Sequence, residues 1–175
     1  MQRRAEAEAT RLVELVDRAT AGDRDAYGEL VELMWPQLVG LARTILAGDD
    51  EAEDLVQEAL VHAWTRLDSL RRPEKFPAWI RRILSRRCFA HRRRARPAAE
   101  AVPPARPEPG LERIDMARML GRLAPRQRAV VYLTLVEGRS ASEAAAVLGI
   151  LPATARVHRH RALARLRRQL EEWRR

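Results

Sequence analysis

The apolar residues of 51–64, EAEDLVQEALVHAW, recur at the spacing of one helix face. Ala52, Leu55, Val56, Ala59, Leu60, Ala63 and Trp64 fall at i, i+3, i+4, i+7, i+8, i+11 and i+12. Asp50 followed by Glu53 reads as a capping box at its start, with carboxylates at the positive end of the helix dipole. The opposite stripe is Asp54, Gln57, Glu58 and Val61, acidic with one apolar residue that solvation does not require. On its own this stripe describes a solvated amphipathic helix. Its neighbours along the chain point elsewhere.

The same period runs on both sides. Leu12, Leu15, Val16 and Ala19 predict a short helix over 10–20, ending near Gly22. Asp23 or Asp25 can cap the next, which carries Tyr27, Leu30, Val31, Met34, Leu38, Val39, Ala42 and Ile45, with a kink expected at Pro36. Residues 67–75 read as a basic loop broken at Pro73, and Pro77 suits the first turn of a further helix. That helix buries Phe76, Trp79, Ile80, Ile83, Leu84 and Cys88, with Arg81, Arg82, Ser85, Arg86, Arg92 and Arg93 on its other faces. Residues 95–110 hold five prolines in sixteen positions and almost no large apolar side chain, the composition of a stiff, extended linker reaching at most about 50 Å. Beyond it, 111–123 is again helical. A helix opening at Pro125 carries Val130, Val131, Leu133 and Leu135 and stops at Glu137-Gly138. Ser140 and Glu143 form a capping box over a short alanine-rich helix that Gly149 stops, and Pro152 starts a basic helix reaching about Leu170. A short helix, a glycine turn and a long basic helix make a helix-turn-helix pattern. The fold class is therefore all-α, in two small helical domains joined by a Pro-rich linker: 1–94, 95–110 and 111–175.

Charge sorts the chain into surfaces. Residues 1–70 carry 7 Arg and 15 Asp/Glu, net −8; residues 71–96 carry net +10; residues 111–175 carry net +8. One acidic and two basic stretches imply two kinds of partner, with a polyanion gripped at two places. The single cysteine, Cys88, excludes a disulfide framework and reads as a buried structural thiol. No apolar run approaches a membrane span and the N-terminus lacks a signal-peptide core, so the expected location is cytoplasmic, without membrane insertion. His62, His91, His158 and His160 stand in no metal-ligand or nucleophile spacing, and no phosphate-binding glycine loop is present. No catalytic residue, metal site or cofactor is therefore expected. Arg156, His160 and Arg161 suit groove contacts, and Arg165, Arg167 and Arg168 suit phosphate or solvent. Phe76, Trp79 and Phe89 beside the cations of 71–94 suit stacking with single-stranded bases. The competing reading puts Phe76 and Trp79 in the core.

Residues from AYGELVELMWPQLVG through DDEAEDLVQEALVHAW to FPAWIRRILSRRCFAHRRR resemble region 2 of a bacterial sigma factor. LAPRQRAVVYLTLVEGRSASEAAAVLGILPATARVHRHRALARLRRQL resembles region 4. The match covers about 25–94 and 112–170, and with no region 3 between them the whole resembles the extracytoplasmic-function class. That resemblance implies a promoter-specificity subunit without enzymatic activity. It implies that Asp54, Gln57, Glu58 and Val61 bind the clamp coiled coil of the largest polymerase subunit. It places Arg71, Arg72, Lys75, Trp79, Arg82 and Arg86 at the melted −10 element, with a flipped base received by loop 67–75. Thr154, Arg156, Val157, His160 and Arg161 fall at the double-stranded −35 element, with the polymerase flap and an anti-sigma factor as further partners. The chain departs from the family at Arg86 and Ala90, where Asn and Asp are usual. It also departs at Val157, in place of a small polar reader, and at Arg159, in place of an apolar residue on the inner helix face. Weak −35 recognition is the expectation these carry. Two rival readings remain at this stage. One is a DNA-binding regulator independent of polymerase, since RVHRHRAL also resembles recognition helices of quorum-sensing-type response regulators. The other is a sigma-like protein that binds core polymerase without initiating.

Overall fold

The computed structural model describes residues 2–47, 50–95 and 116–173, and among these there is no strand. The N-terminal domain is built from α1 (Gln2–Thr20), α2 (Arg24–Leu46), α3 (Ala52–Trp64) and α4 (Phe76–Ala95). Two single 3-10 turns, Leu67–Ser69 and Pro73–Lys75, lead into α4. The C-terminal domain holds α5 (Met116–Gly121), α6 (Pro125–Val131), a π turn (Tyr132–Val136), α7 (Ala141–Leu148) and α8 (Pro152–Trp173). The expected linker beyond residue 95, the break at Gly48 and the helical expectation for 111–115 lie outside the described residues.

Several local expectations hold and others shift. Asp23 caps α2, its carboxylate accepting from the N–H groups of Asp25 and Ala26 at 3.0 Å each. The α1 helix begins well before residue 10, because 2–9 is rich in Ala, Glu and Arg, good helix formers. Pro36, where a kink is expected, lies inside α2, which runs through it to Leu46. The proline is exposed, and buried Met34 and Leu38 on either side hold the helix to the core. The capping box expected at Asp50 and Glu53 is absent. The N-cap is Glu51, which makes no side-chain cap bond, and Glu53 pairs with Arg43 at 2.7 Å instead. By contrast Ser140 and Glu143 form their reciprocal box over α7, and Gly149 ends that helix at φ 64°.

The core begins between α1 and α2 at Leu15 and Val16, passes through Leu30, Leu38, Leu41, Val56 and Leu60, and reaches Phe76, Ile80, Leu84 and Cys88 of α4. It continues without a break into Ala129, Val130, Leu133, Ala144, Ala145 and Leu148. The two domains are thus packed on one another, α6 against α2 and α7 against α4. Buried polar groups join them. Arg81, expected on an outer face of α4, is 1 % exposed, and Ser85 beside it is equally buried. Arg81 Nε lies 3.0 Å from Glu137 of the C-terminal domain, and its other nitrogens donate to the Pro77 carbonyl at 2.7 Å and to Gln37. Burial pushes the Arg81 guanidinium below the usual arginine range, with Glu137 opposing the shift.

Candidate functional site

The outer face of α3 presents Asp54, Gln57, Glu58 and Val61, all exposed, while Ala52, Leu55, Val56, Ala59, Leu60 and Ala63 turn inward. Val61 keeps 66 % of its surface in solvent. With His62, Thr65 and Arg87 the four residues line a shallow depression. Arg87 of α4 reaches across it to Glu58 at 2.8 Å, an exposed pair of the kind that contributes little to stability. Beside the depression, and sharing Gln57 and Val61 with it, lies an apolar groove of Tyr27, Val31, Trp35, Leu60 and Trp64. The Tyr27 and Trp64 rings pack at a tilt of 52° with 4.8 Å between centroids, and the Tyr27 hydroxyl donates to the Leu60 carbonyl at 2.6 Å. Burial pushes that phenol up to about 12. Helical periodicity assigned Tyr27 and Trp64 wholly to the core; each is only half-buried, and the groove follows from that. An acidic surface with apolar anchors is shaped to receive an amphipathic helix carrying basic flanks.

The first basic surface is the 67–75 connection together with one stripe of α4. Leu67 and Phe76 anchor the connection in the core, so Arg71, Arg72 and Lys75 project between fixed points. Arg72 pairs with Glu74 at 2.6 Å. Trp79, Arg82 and Arg86 are spaced by three and four residues and share one face of α4, and Lys75 ends the 3-10 turn just before it. The two aromatic readings divide: Phe76 is fully buried, whereas Trp79 is half-buried against it, with 6.1 Å between ring centroids. Phe89 faces the other domain, with the Arg126 guanidinium 5.5 Å above its ring.

The second basic surface is α8, packed on α6 and α7, with Ala155 buried in the main core and Ala162 buried in a second cluster with Leu123 and Val131. Arg156, Val157, His160 and Arg161 are exposed together, and Thr154 is half-buried at the start of the face. Arg159 corrects the expectation of an inner-face residue, because it is exposed and the inner position next to it is His158. His158 is held below the usual histidine range by burial and by the charges of Arg126 and Arg161. The acidic face and the two basic faces remain three separate surfaces, and none of the named residues converge as a catalytic cluster would. Among the described residues no group of His, Cys, Asp and Glu could hold a metal ion, and no helix is long and apolar enough to cross a membrane.

A helical domain with an acidic docking helix and an aromatic-basic helix, packed with a helix-turn-helix domain, defines a DNA-binding transcription factor that also engages a protein machine. Comparison with known families sharpens this: residues 30–97 match sigma-70 region 2 and residues 113–166 match sigma-70 region 4. The extracytoplasmic-function RNA polymerase sigma factor SigM of Mycobacterium tuberculosis is 32 % identical over 163 residues, covering 90 % of this chain and 83 % of that protein. Among solved structures, CnrH in complex with the cytosolic domain of CnrY superposes with a TM-score of 0.70 at 28 % identity, covering 93 % of this chain and 98 % of that one. RpoE of Bartonella quintana in complex with the anti-sigma factor NepR superposes at 0.68 and 29 % identity, covering 83 % and 96 %. The chain belongs to the extracytoplasmic-function family of sigma-70-type RNA polymerase sigma factors. It is an alternative sigma factor, directing transcription initiation.

Sequence reasoning missed three residues that organise these surfaces. Arg87 was not singled out although it crosses to Glu58. Arg81 was placed outward although it is buried. Arg128, never singled out, is 2 % exposed. The only signal for the last two was a cation inside a run of apolar neighbours, WIRRI and RQRAVV.

Proposed function

We propose that this sigma factor docks on the clamp coiled coil of core polymerase through Asp54, Gln57, Glu58 and Val61, reads the melted −10 element through Arg71, Arg72, Lys75, Trp79, Arg82 and Arg86, and reads the −35 duplex through Thr154, Arg156, Val157, His160 and Arg161. The observation that carries this reading is the exposed Val61 set in an acidic stripe beside an apolar groove, since a solvated helix needs neither. The division of labour follows: residues 1–94 for polymerase and −10 binding, 95–110 as linker, 111–175 for −35 binding. The exposed Leu135 and Val136 supply an apolar contact for the polymerase flap. Polymerase and promoter place the protein in the cytoplasm, as an initiation factor rather than an enzyme. The complexes formed by CnrH and by RpoE support an anti-sigma factor as a further partner here.

The test is run-off transcription from a promoter library with purified chain and core polymerase, beside a core-binding measurement on Asp54→Arg/Glu58→Arg. Transcripts from wild type, and loss of core binding in a variant with unchanged circular dichroism, are expected. Core binding without transcripts would favour a non-initiating sigma-like protein. Core binding that survives the double charge reversal would remove the clamp assignment.

A further inference from the structure

Arg87 already occupies one of the carboxylates that the α3 stripe offers to a partner. The acids around α3 are matched with cations of the neighbouring helices. Glu53 meets Arg43 of α2 at 2.7 Å, Glu51 meets His91 of α4 at 3.2 Å, and Glu58 meets Arg87 of α4 at 2.8 Å. Among the described residues Asp54 makes no ion pair. Arg43 and His91 meet acids outside the docking stripe. Arg87 instead ends inside the depression, with Asp54, Gln57, Val61 and Thr65 around it. Its neighbour Arg86 lies on the DNA-facing stripe of α4. A turn of about 100° per residue carries Arg87 round to the edge that borders α3.

Folding gains little from this pair. The two side chains keep 33 % and 60 % of their surface in solvent, so water screens the attraction. The packing of α3 on α4 rests on Val56, Ala59, Ile80, Leu84 and Cys88 of the shared core. The effect on an incoming partner is larger. Two carboxylates and one guanidinium leave the depression a formal charge of −1, and without Arg87 it would be −2. A cation arriving at Glu58 finds a guanidinium already there and must displace it or share the carboxylate with it. A like charge held within about 5 Å of the contact opposes that approach nearly as strongly as the carboxylate favours it.

We propose that Arg87 is an internal competitor for the docking carboxylate Glu58, and that it sets both the affinity of this sigma factor for core polymerase and the salt dependence of that affinity. The inference rests on the docking reading of the α3 stripe and adds to it a residue that weakens docking. Arg87 thereby favours a partner whose cation is held in fixed geometry over a diffuse basic surface, because only the former displaces it at little entropic cost.

The test is calorimetric titration of core polymerase with the full-length chain, at about 0.1 M and about 0.5 M salt. At the lower salt Arg87→Gln should bind about three- to tenfold tighter than wild type. Arg87→Lys keeps the charge and should stay within about twofold of wild type. At the higher salt the Debye length falls to about 4 Å, and the gain of Arg87→Gln should shrink below about twofold. Damage to the fold weakens binding, so loss of structure does not imitate the expected tightening. Binding by Arg87→Gln that is equal to or weaker than wild type, with unchanged circular dichroism, would overturn the competitor role. A gain that persists undiminished at the higher salt would overturn its electrostatic basis. Glu58→Arg separates this inference from the reading beneath it. If that variant still binds core polymerase, the docking surface itself is wrong. If it fails to bind while Arg87→Gln is no tighter than wild type, the competitor role alone falls.

Discussion

The Arg81–Glu137 pair should be the strongest single polar link in the molecule, and a double-mutant cycle can measure it. Both side chains are nearly solvent-free, at 2 % and 8 % exposure, with 3.0 Å between Nε and the carboxylate. Removing one member of such a pair typically costs about 3–5 kcal/mol, because the other charge is left buried. Remaining partners reduce that figure here. In Glu137→Leu, Arg81 keeps the Pro77 carbonyl and Gln37; in Arg81→Met, Glu137 keeps Arg139 at 2.8 Å. Each single variant should lose about 2–4 kcal/mol of unfolding free energy in urea, with a coupling energy of at least about 3 kcal/mol. The double variant Arg81→Met/Glu137→Leu should recover to within about 1 kcal/mol of wild type, since packed apolar groups leave no charge unpaired. Because one core runs through both domains, the wild-type unfolding curve should be a single transition. Coupling below about 0.5 kcal/mol, or two separate transitions indifferent to both substitutions, would show that the domains are not joined as described.

Ser140→Ala should cost about 1 kcal/mol in urea unfolding, since the Glu143 N–H loses its acceptor at the start of α7. Because the native state lowers the affinity of His158 for a proton, the unfolded state binds more protons as pH falls through the ordinary value of 6.5, and stability should decline there. His158→Gln should flatten that decline in pH-dependent thermal melts, and an unchanged slope would assign it to other groups. Arg159→Ala should leave stability within about 0.5 kcal/mol and reduce the salt dependence of −35 duplex binding by about one unit of slope. A loss of more than about 2 kcal/mol would return Arg159 to the inner face of α8.

Most of the secondary structure was legible because it rests on local rules. The α3 face, the basic stripe of α4 and the exposed face of α8 each follow from 3.6-residue periodicity, and the Asp23 and Ser140 caps from side-chain oxygens placed before helical runs. Where a local rule met a competing contact, it failed. Glu53 could have closed a capping box but found Arg43. The site residues were legible to the same extent. Every residue assigned to polymerase or DNA is exposed except Trp79 and Thr154, which are half-buried, while the apolar groove beside Val61 needed the side-by-side placement of α2 and α3.

An all-helical chain with one acidic and two basic faces was readable from residue order alone, because helix periodicity and charge blocks are properties of neighbours a few residues apart. Which cations are buried was settled by packing between distant segments. Arg81 lies one residue after Ile80 on α4, on a side that water would reach if α4 belonged to an isolated N-terminal domain. It is dry because α7 and the Glu137 turn pack there. Arg128 is likewise an ordinary helix surface residue until α2 ends beside it and presents two carbonyls. Burial of a charge depends on what a distant segment brings to it, and no periodicity within the helix encodes that.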